Sequence, residues 1–437
     1  MLHTAGDTTT GRVMAKTGLL KVGGLTGQPL QVFLLTYVAY VTLYCGRKPL
    51  SVAKSAMGLP TATLGNMDTA FLAAYAFGQL FLAGLSTQTS TARALALCYG
   101  GCALAMLGFA AFESDQARIM LWGANGLFQA LCYPLCVRAL APHLPQASRG
   151  KLMGIWTTSQ AVGGVVANSF AAAAMSRWGW RAAFAPGPAT GLALAALALL
   201  LGLPQDSPPS ASATSEKPTH GQVGGDAAAE GNVAVVTTTP GLPGLMLAYF
   251  AIKLTRYTLL FWLPMYLHQE LGYSSPQAGF AETLFDVGAV AGSVGAGFLA
   301  DRWPIKESVV VAMAGVSAPL CIMLAGTRGY TVPLMLLAGC AIAGPDSLLG
   351  GVLTQECVER SGRPERLSVA LGLVNGAGSV GAILQGSFVA HMLDGSWGWG
   401  GVWDGCAMLC LVAVAALLPV VLHRQQPLLP SHSAALQ

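Results

Sequence analysis

The chain consists of apolar runs that recur along its length, each about as long as an α-helix needs to be to cross a lipid bilayer. Of its 437 residues, 54% are hydrophobic and 10% are charged, whereas a soluble domain carries about 25% charged residues. So few charges cannot cover a water-facing surface, which argues against a soluble enzyme, a secreted disulfide scaffold or a nucleic-acid-binding protein. The net charge of +4 is too small to indicate a polyanionic partner. The pattern predicts an all-α membrane protein.

Twelve such runs can be placed, six on each side of a polar central segment. The first six lie near 31–58, 67–85, 94–112, 118–140, 152–175 and 183–203. The second six lie near 241–268, 277–300, 308–326, 331–355, 367–392 and 400–423. We therefore divide the chain into a tail (1–28), a six-helix half (29–203), a linker (204–240), a second six-helix half (241–423) and a tail (424–437). The linker is rich in Pro, Ser, Thr, Gly and Ala, which favours a flexible segment. For the first tail we prefer a disordered cytosolic segment to a targeting peptide.

The basic residues indicate an orientation. If the N-terminus and the even-numbered connections are cytosolic, that side holds 14 of the 23 Lys and Arg residues. The opposite side holds five, namely Lys54, Arg118, Arg177, Arg181 and Arg328. Because cytosolic loops are enriched in Lys and Arg, both termini are predicted to be cytosolic. The endoplasmic reticulum, the plasma membrane and other organelles all stay open as locations, and we expect a monomer.

The two halves repeat each other in parallel. Residues 154–170 align without gaps on 372–388, and the Trp-Gly-Trp at 178–180 then corresponds to the Trp-Gly-Trp at 397–399. Six plus six spans with parallel repeats and a central linker are typical of the major facilitator architecture, in which a pseudo-two-fold axis relates the halves.

Two arginines occupy equivalent positions in the two halves. Arg47 lies seven residues after Tyr40, and Arg256 lies seven residues after Tyr249. An arginine at bilayer depth costs about 2.5–3.5 kcal/mol on insertion scales, so such a residue usually faces a cavity and has a function. A guanidinium binds phosphate or carboxylate through two parallel hydrogen bonds. The pair predicts an anion held between the halves. The alternative is that the arginines neutralise buried acids or extend to the membrane interface.

Neighbouring side chains extend this predicted site. The substrate-binding candidates besides the two arginines are Lys48, Tyr44, Lys253, Tyr257, Trp156 and Gln160. Tyr44 and Lys253 each lie about one helical turn before an arginine and can share its face. An interface charge is an equally good explanation of Lys48, and packing alone explains Trp156.

A few acids also fall inside the apolar runs, namely Glu282, Asp286, Asp346 and Asp68. One of them could pair with Arg256 when the site is empty. We assign charge coupling to Asp286, either as an ion-pair partner of Arg256 or Lys253 or as a proton carrier. Asp301 and Arg302 are predicted to act in gating. We expect no catalytic residues, metal or cofactor, because phosphate loops, nucleophile elbows and paired histidines are absent from the sequence.

At these residues the chain resembles the organophosphate:phosphate antiporter family of the major facilitator superfamily. The matching segments are 44–48, 122–138, 149–156, 256–266, 297–302 and 344–345, within a resemblance that extends from about 31 to 423. The resemblance implies exchange of glycerol 3-phosphate, hexose phosphates or glucose 6-phosphate for inorganic phosphate. It also implies that the arginines at 47 and 256 bind the phosphate and that Lys48 is a family lysine. The chain departs from the family at Gln160, where the glycerol-3-phosphate branch has a histidine, and at Asp286, which replaces a glutamate.

The sequence therefore predicts a secondary active transporter that exchanges a phosphorylated organic anion for inorganic phosphate by alternating access. Its partners would be these small anions and the lipid bilayer. Two alternatives stay open: a proton-coupled organic-anion symporter, with Asp286 or Glu282 as the titrating group, and a non-transporting phosphate-ester sensor of the same fold.

Overall fold

A computed structural model describes residues 25–82, 89–145, 149–204, 232–326, 330–363 and 366–425. Helices dominate these ranges, as expected where lipid offers no hydrogen bonds and the backbone must satisfy its own polar groups. The predictions for residues 1–24, for most of the linker and for the last twelve residues lie outside the described residues.

Before the linker the described chain forms helices α1 (Gly27–Tyr44), α2 (Pro49–Met57), α3 (Thr61–Phe77), α4 (Thr91–Ala111), α5 (Asp115–Gln129), α6 (Cys132–Leu140), α7 (Arg149–Thr157), α8 (Ser159–Trp178) and α9 (Gly187–Gly202). After it follow α10 (Asn232–Thr238), α11 (Leu242–Gln269), α12 (Ser275–Arg302), α13 (Lys306–Gly326), α14 (Thr331–Leu348), α15 (Thr354–Arg360), α16 (Leu367–Asp394) and α17 (Gly398–Gln425). A π-helical turn, Gly78–Leu82, continues α3, and a second, Leu349–Leu353, joins α14 to α15.

Within the described ranges, nine helical stretches are long and apolar enough to cross a membrane. They are Gly27–Met57, Thr91–Ala111, Trp180–Gly202, Leu242–Gln269, Ser275–Arg302, Lys306–Gly326, Pro333–Arg360, Leu367–Asp394 and Gly398–Leu422. These confirm nine of the predicted runs and the all-α class. The runs near 67–85, 118–140 and 152–175 are also helical where they are described, but each helix is interrupted. That these three cross as well, giving twelve spans, stays a prediction.

The interruption between α5 and α6 has a local cause. Pro134 lies in the first turn of α6 and has no N–H to donate to the carbonyl of Ala130. The chain therefore turns at 130–131 and resumes as a new helix.

The described residues group into two compact units. The first takes them from 1–49, 74–170 and 181–212, and the second from 50–73, 171–180 and 213–437. The units differ from the predicted halves, because 50–73 and 171–180 group with the second unit. The division into two six-helix halves stays a prediction.

In the first unit, α4, α5 and the segment before α9 meet at buried aromatic rings. The Phe109 ring centroid lies 4.5 Å from that of Phe184 and 5.4 Å from that of Trp122. Offset and tilted rings at such distances pack favourably and supply much of the local apolar contact.

In the second unit, α12 and α14 approach each other through glycine. A Cβ atom at Gly288 would overlap the backbone of Leu336, and one at Gly292 would overlap the backbone of Cys340. Small residues of this kind let membrane helices pack backbone against backbone. This packing holds α14, which carries Asp346, in a defined position.

Candidate functional site

Arg47 lies in a break between α1 and α2, in the first unit. Residues 45–48 form a turn that interrupts the helix inside the spanning stretch Gly27–Met57. Pro49 starts α2 and cannot donate a backbone hydrogen bond. The carbonyl of Gly46, which lies in the turn, accepts hydrogen bonds from Asn125 Nδ2 at 2.7 Å and Gln129 Nε2 at 3.0 Å. Two buried amides on α5 thus stabilise the backbone from which Arg47 projects.

The Arg47 guanidinium has polar and aromatic neighbours. Its Nε donates to Gln129 Oε1 at 3.0 Å, and its Cζ lies 5.0 Å from the Tyr75 ring centroid and 5.5 Å from that of Tyr44. The Tyr44 hydroxyl donates in turn to Gln160 Oε1 at 3.4 Å. The structure therefore brings together Arg47, Tyr44 and Gln160, and their role as substrate ligands stays a prediction.

Sequence reasoning did not identify Asn125 and Gln129 as site residues. In the sequence their one signal is that they are polar residues inside an apolar run. The structure shows that both side chains are buried, where polar groups need hydrogen-bond partners. Lys48 lies in the turn at 45–48, so its direction does not follow helical spacing, and it is only 2% exposed. This burial argues against an interface charge.

Trp156 has no exposed surface. Its indole N–H donates to Thr36 Oγ1 at 3.1 Å, and its ring lies 5.1 Å from that of Tyr40 and 5.8 Å from that of Tyr133. These contacts favour the packing explanation, in which Trp156 supports the wall of the site.

In the second unit, α11 carries Lys253 and Arg256 towards one acid on α14. Lys253 Nζ lies 3.0 Å from Asp346 Oδ1, and Arg256 Nη1 donates a short hydrogen bond to Asp346 Oδ2. The Lys253 ammonium also lies 5.2 Å from the ring centroid of Tyr249 and 5.4 Å from that of Tyr257. Arg256, Lys253 and Tyr257 thus lie together in one cationic and aromatic cluster around Asp346.

The acid in contact with both cations is Asp346, one of the four acids that the sequence left open as a partner of Arg256. Asp286 is half-buried on α12, and its coupling role stays a prediction. Asp301 and Arg302 are exposed at the end of α12, where Arg302 Cζ lies 3.6 Å from the ring centroid of Phe298. Their gating role also stays a prediction.

A separate and almost completely buried ion pair lies in the same unit. Lys54 Nζ on α2 is 2.5 Å from Asp68 Oδ2 on α3, donates to the Phe261 carbonyl at 3.0 Å and lies 3.7 Å from the Trp262 ring centroid. Gln385 donates to Asp68 Oδ2 at 3.2 Å and accepts from Trp262 Nε1 at 2.7 Å. Counting Lys54 as a loop charge was therefore wrong, because its side chain is fully buried.

Comparison with known proteins decides the family. The profile of the Major Facilitator Superfamily matches residues 32–240 and 245–435. The chain belongs to the Major Facilitator Superfamily. It is therefore an integral multi-pass membrane protein of a transporter family.

Relatives of this superfamily member include a candidate glycerol-3-phosphate transporter of Arabidopsis thaliana, 28% identical over 84% of this chain and 81% of its own length. Sugar phosphate exchanger 3 of Homo sapiens is 26% identical over 90% of this chain and 92% of its own length. These relatives confirm the resemblance to the organophosphate:phosphate antiporter family.

Solved transporter structures share the fold of this superfamily member. An inward-facing bacterial homologue of the human lysosomal transporter Spinster matches with a TM-score of 0.71 at 17% identity, over 91% of this chain and 96% of that one. The nucleoside transporter NupG matches with a TM-score of 0.72 at 14% identity, over 91% and 99%.

Proposed function

We propose that this transporter exchanges a phosphorylated organic anion, a sugar phosphate or glycerol 3-phosphate, for inorganic phosphate by alternating access. The observation that carries the proposal is the proximity of Lys253 and Arg256 on one apolar helix, with both side chains partly exposed. Two cations placed side by side in an apolar span are costly unless they bind an anion. The names of the relatives point to a phosphate ester as that anion.

Both units carry side chains of a kind that can bind phosphate. Arg47, supported by Gln129, offers a planar group that can donate two parallel hydrogen bonds to phosphate oxygens. Tyr44 and Gln160 add a hydroxyl and an amide nearby. In the second unit Arg256 and Lys253 carry two neighbouring positive charges, and Tyr257 lies beside Lys253. We include Lys48 among the ligands from the family resemblance.

Exchange, rather than proton coupling, is the mechanism that we favour. A site with surplus positive charge is stabilised by a bound anion, whether that anion is inorganic phosphate or a phosphate ester. The two anions can therefore bind to it alternately. Asp286 and Glu282 are the acids that a proton-coupled alternative would use. We further propose that both termini are cytosolic and that the transporter is a monomer.

Counterflow in proteoliposomes tests the proposal. Purified transporter is reconstituted into vesicles with or without internal phosphate, and uptake of labelled phosphate is measured with and without a pH gradient. An exchanger takes up label only when phosphate is inside, and external glucose 6-phosphate or glycerol 3-phosphate competes with it. Uptake that needs a pH gradient and no internal phosphate would indicate the symporter. Phosphate binding with no uptake under any condition would indicate the sensor.

A further inference from the structure

Asp346 holds the two cations of α11 from a more buried position than theirs. Its side chain is 7% exposed, whereas those of Lys253 and Arg256 are 19% and 27% exposed. An anion that reached the cations from their exposed side would meet the same nitrogen atoms that the carboxylate now contacts. Asp346 therefore occupies a ligand position of the proposed anion site.

The bonding of this carboxylate is incomplete. Oδ2 accepts a hydrogen bond from Arg256, but Oδ1 accepts none from the described residues, although Lys253 Nζ lies 3.0 Å away. Buried carboxylate oxygens are usually satisfied by hydrogen bonds. The cluster also has two cations for one acid, so positive charge is left over after pairing.

The Lys54–Asp68 pair in the same unit is different. It matches one cation with one acid, and Gln385 donates a further hydrogen bond to the same Asp68 oxygen. Both side chains are almost completely buried, at 0% and 3% exposed. That pair is closed to a ligand, whereas the Asp346 cluster is open to one.

We propose that Asp346 is the counter-ion displaced by substrate: it neutralises Lys253 and Arg256 in the empty site and competes with the phosphoryl group for them. The inference rests on the proposed function and adds the residue that limits how tightly the site holds phosphate. The substrate gains binding free energy from its contacts with the two cations. This gain is reduced by the interaction free energy that Asp346 loses when the same cations turn away from it. Such a competitor prevents the site from binding phosphate too tightly to release it.

Charge gives the proposal a distinctive consequence. The repulsion between Asp346 and a bound anion is proportional to the charge of that anion. Removing the carboxylate should therefore help a doubly charged ligand more than a singly charged one. A residue that only supported the fold would produce no such dependence on ligand charge.

The test is the Asp346→Asn variant of the full-length transporter, which keeps the shape of the side chain and removes its charge. Binding of labelled inorganic phosphate to purified protein is measured near pH 8, where phosphate is mostly the dianion, and dimethyl phosphate serves as a monoanionic competitor. We expect phosphate affinity to rise about tenfold, the change associated with one charge-assisted hydrogen bond. We expect a smaller rise for dimethyl phosphate and a slower exchange rate. Asp404→Asn, at an exposed acid on α17, is the matched control and should leave all three unchanged.

A second pair of variants keeps the test decisive if Asp346→Asn folds poorly. Lys253→Gln leaves one cation fully paired with Asp346, so phosphate binding should be weak. Adding Asp346→Asn to it restores the net charge of the wild-type cluster and should recover binding. Two results would overturn the inference, provided that the wild type exchanges phosphate. One is unchanged or weaker phosphate affinity in folded Asp346→Asn, and the other is no recovery of binding in the double variant. A wild type that neither binds nor exchanges phosphate would overturn the proposed function, and the inference with it.

Discussion

The Lys54–Asp68 pair should respond very differently to the loss of one partner and to the loss of both. At 2.5 Å the attraction between two unit charges is about 7 kcal/mol for an effective dielectric constant of 20. Moving each ion out of water costs several kcal/mol, so the intact pair contributes little net stability. Replacing Lys54 alone removes the attraction and leaves Asp68 buried without its cation.

We therefore expect Lys54→Met to lower the free energy of unfolding by about 3–5 kcal/mol. The double variant Lys54→Met/Asp68→Leu removes both charges and keeps the volume similar, so it should return to within about 1–2 kcal/mol of the wild type or exceed it. The measurement is equilibrium unfolding of the purified transporter in mixed detergent micelles, analysed as a double-mutant cycle.

An exposed ion pair provides the control. Arg181 Nη2 lies 3.6 Å from Glu113 Oε1, with the two side chains 49% and 89% exposed. Solvent screens such a pair, so Arg181→Met should change stability by less than about 1 kcal/mol. If Lys54→Met costs no more than Arg181→Met, or if the double variant is as unstable as the single one, then the Lys54–Asp68 pair is not buried and coupled as described.

Three further variants test other parts of the molecule. Arg47→Lys should abolish phosphate exchange in a folded protein, because lysine keeps the charge but loses the planar donor geometry; near-normal exchange in proteoliposomes would contradict this role. Asp286→Asn should leave phosphate binding intact and slow exchange if Asp286 is an ion-pair partner; unchanged affinity and exchange together with loss of uptake driven by a pH gradient would support the symporter instead. Gly292→Ala should destabilise the transporter by about 1–3 kcal/mol in detergent unfolding, because the added methyl group overlaps the backbone of Cys340. Gly295→Ala on the same helix has open space and serves as its control, so equal effects of the two substitutions would show that α12 and α14 are not closely packed.

Much of the fold could be predicted because a helix that crosses lipid must be apolar over a fixed length. This requirement is local in sequence, and nine predicted runs therefore coincide with helices of spanning length. The break at 45–48 could not be predicted in the same way. Gly46 and Pro49 permit it, but Asn125 and Gln129, about 80 residues away, supply the hydrogen bonds that replace those of the helix.

The residues of the candidate site likewise fall into those that could be predicted from the sequence and those that depend on the fold. Arg47 and Arg256 could be found from the sequence because equivalent positions in two repeats are visible without coordinates. Which of Glu282, Asp286 and Asp346 pairs with Arg256 depends on which helix packs against α11 at the level of Arg256. The spacing of residues in the sequence does not specify that packing. Lys54 was misassigned because it lies near the end of an apolar run, where loop charges are common, while its partner lies on the next helix.

The Lys54–Asp68 pair and the Asp346 cluster together show that burial alone does not identify a ligand site. By burial, Lys54 and Asp68 would rank first, since both are more enclosed than Lys253 and Arg256. Their charges balance, however, so a ligand anion would have to break an already neutral pair. Around Asp346 the charges do not balance, and the leftover positive charge lies on side chains that keep some exposed surface. The α11–α14 cluster is favoured as a phosphate site because it has more cations than acids and because those cations are partly exposed. The α2–α3 pair has balanced, buried charges and is therefore part of the packing.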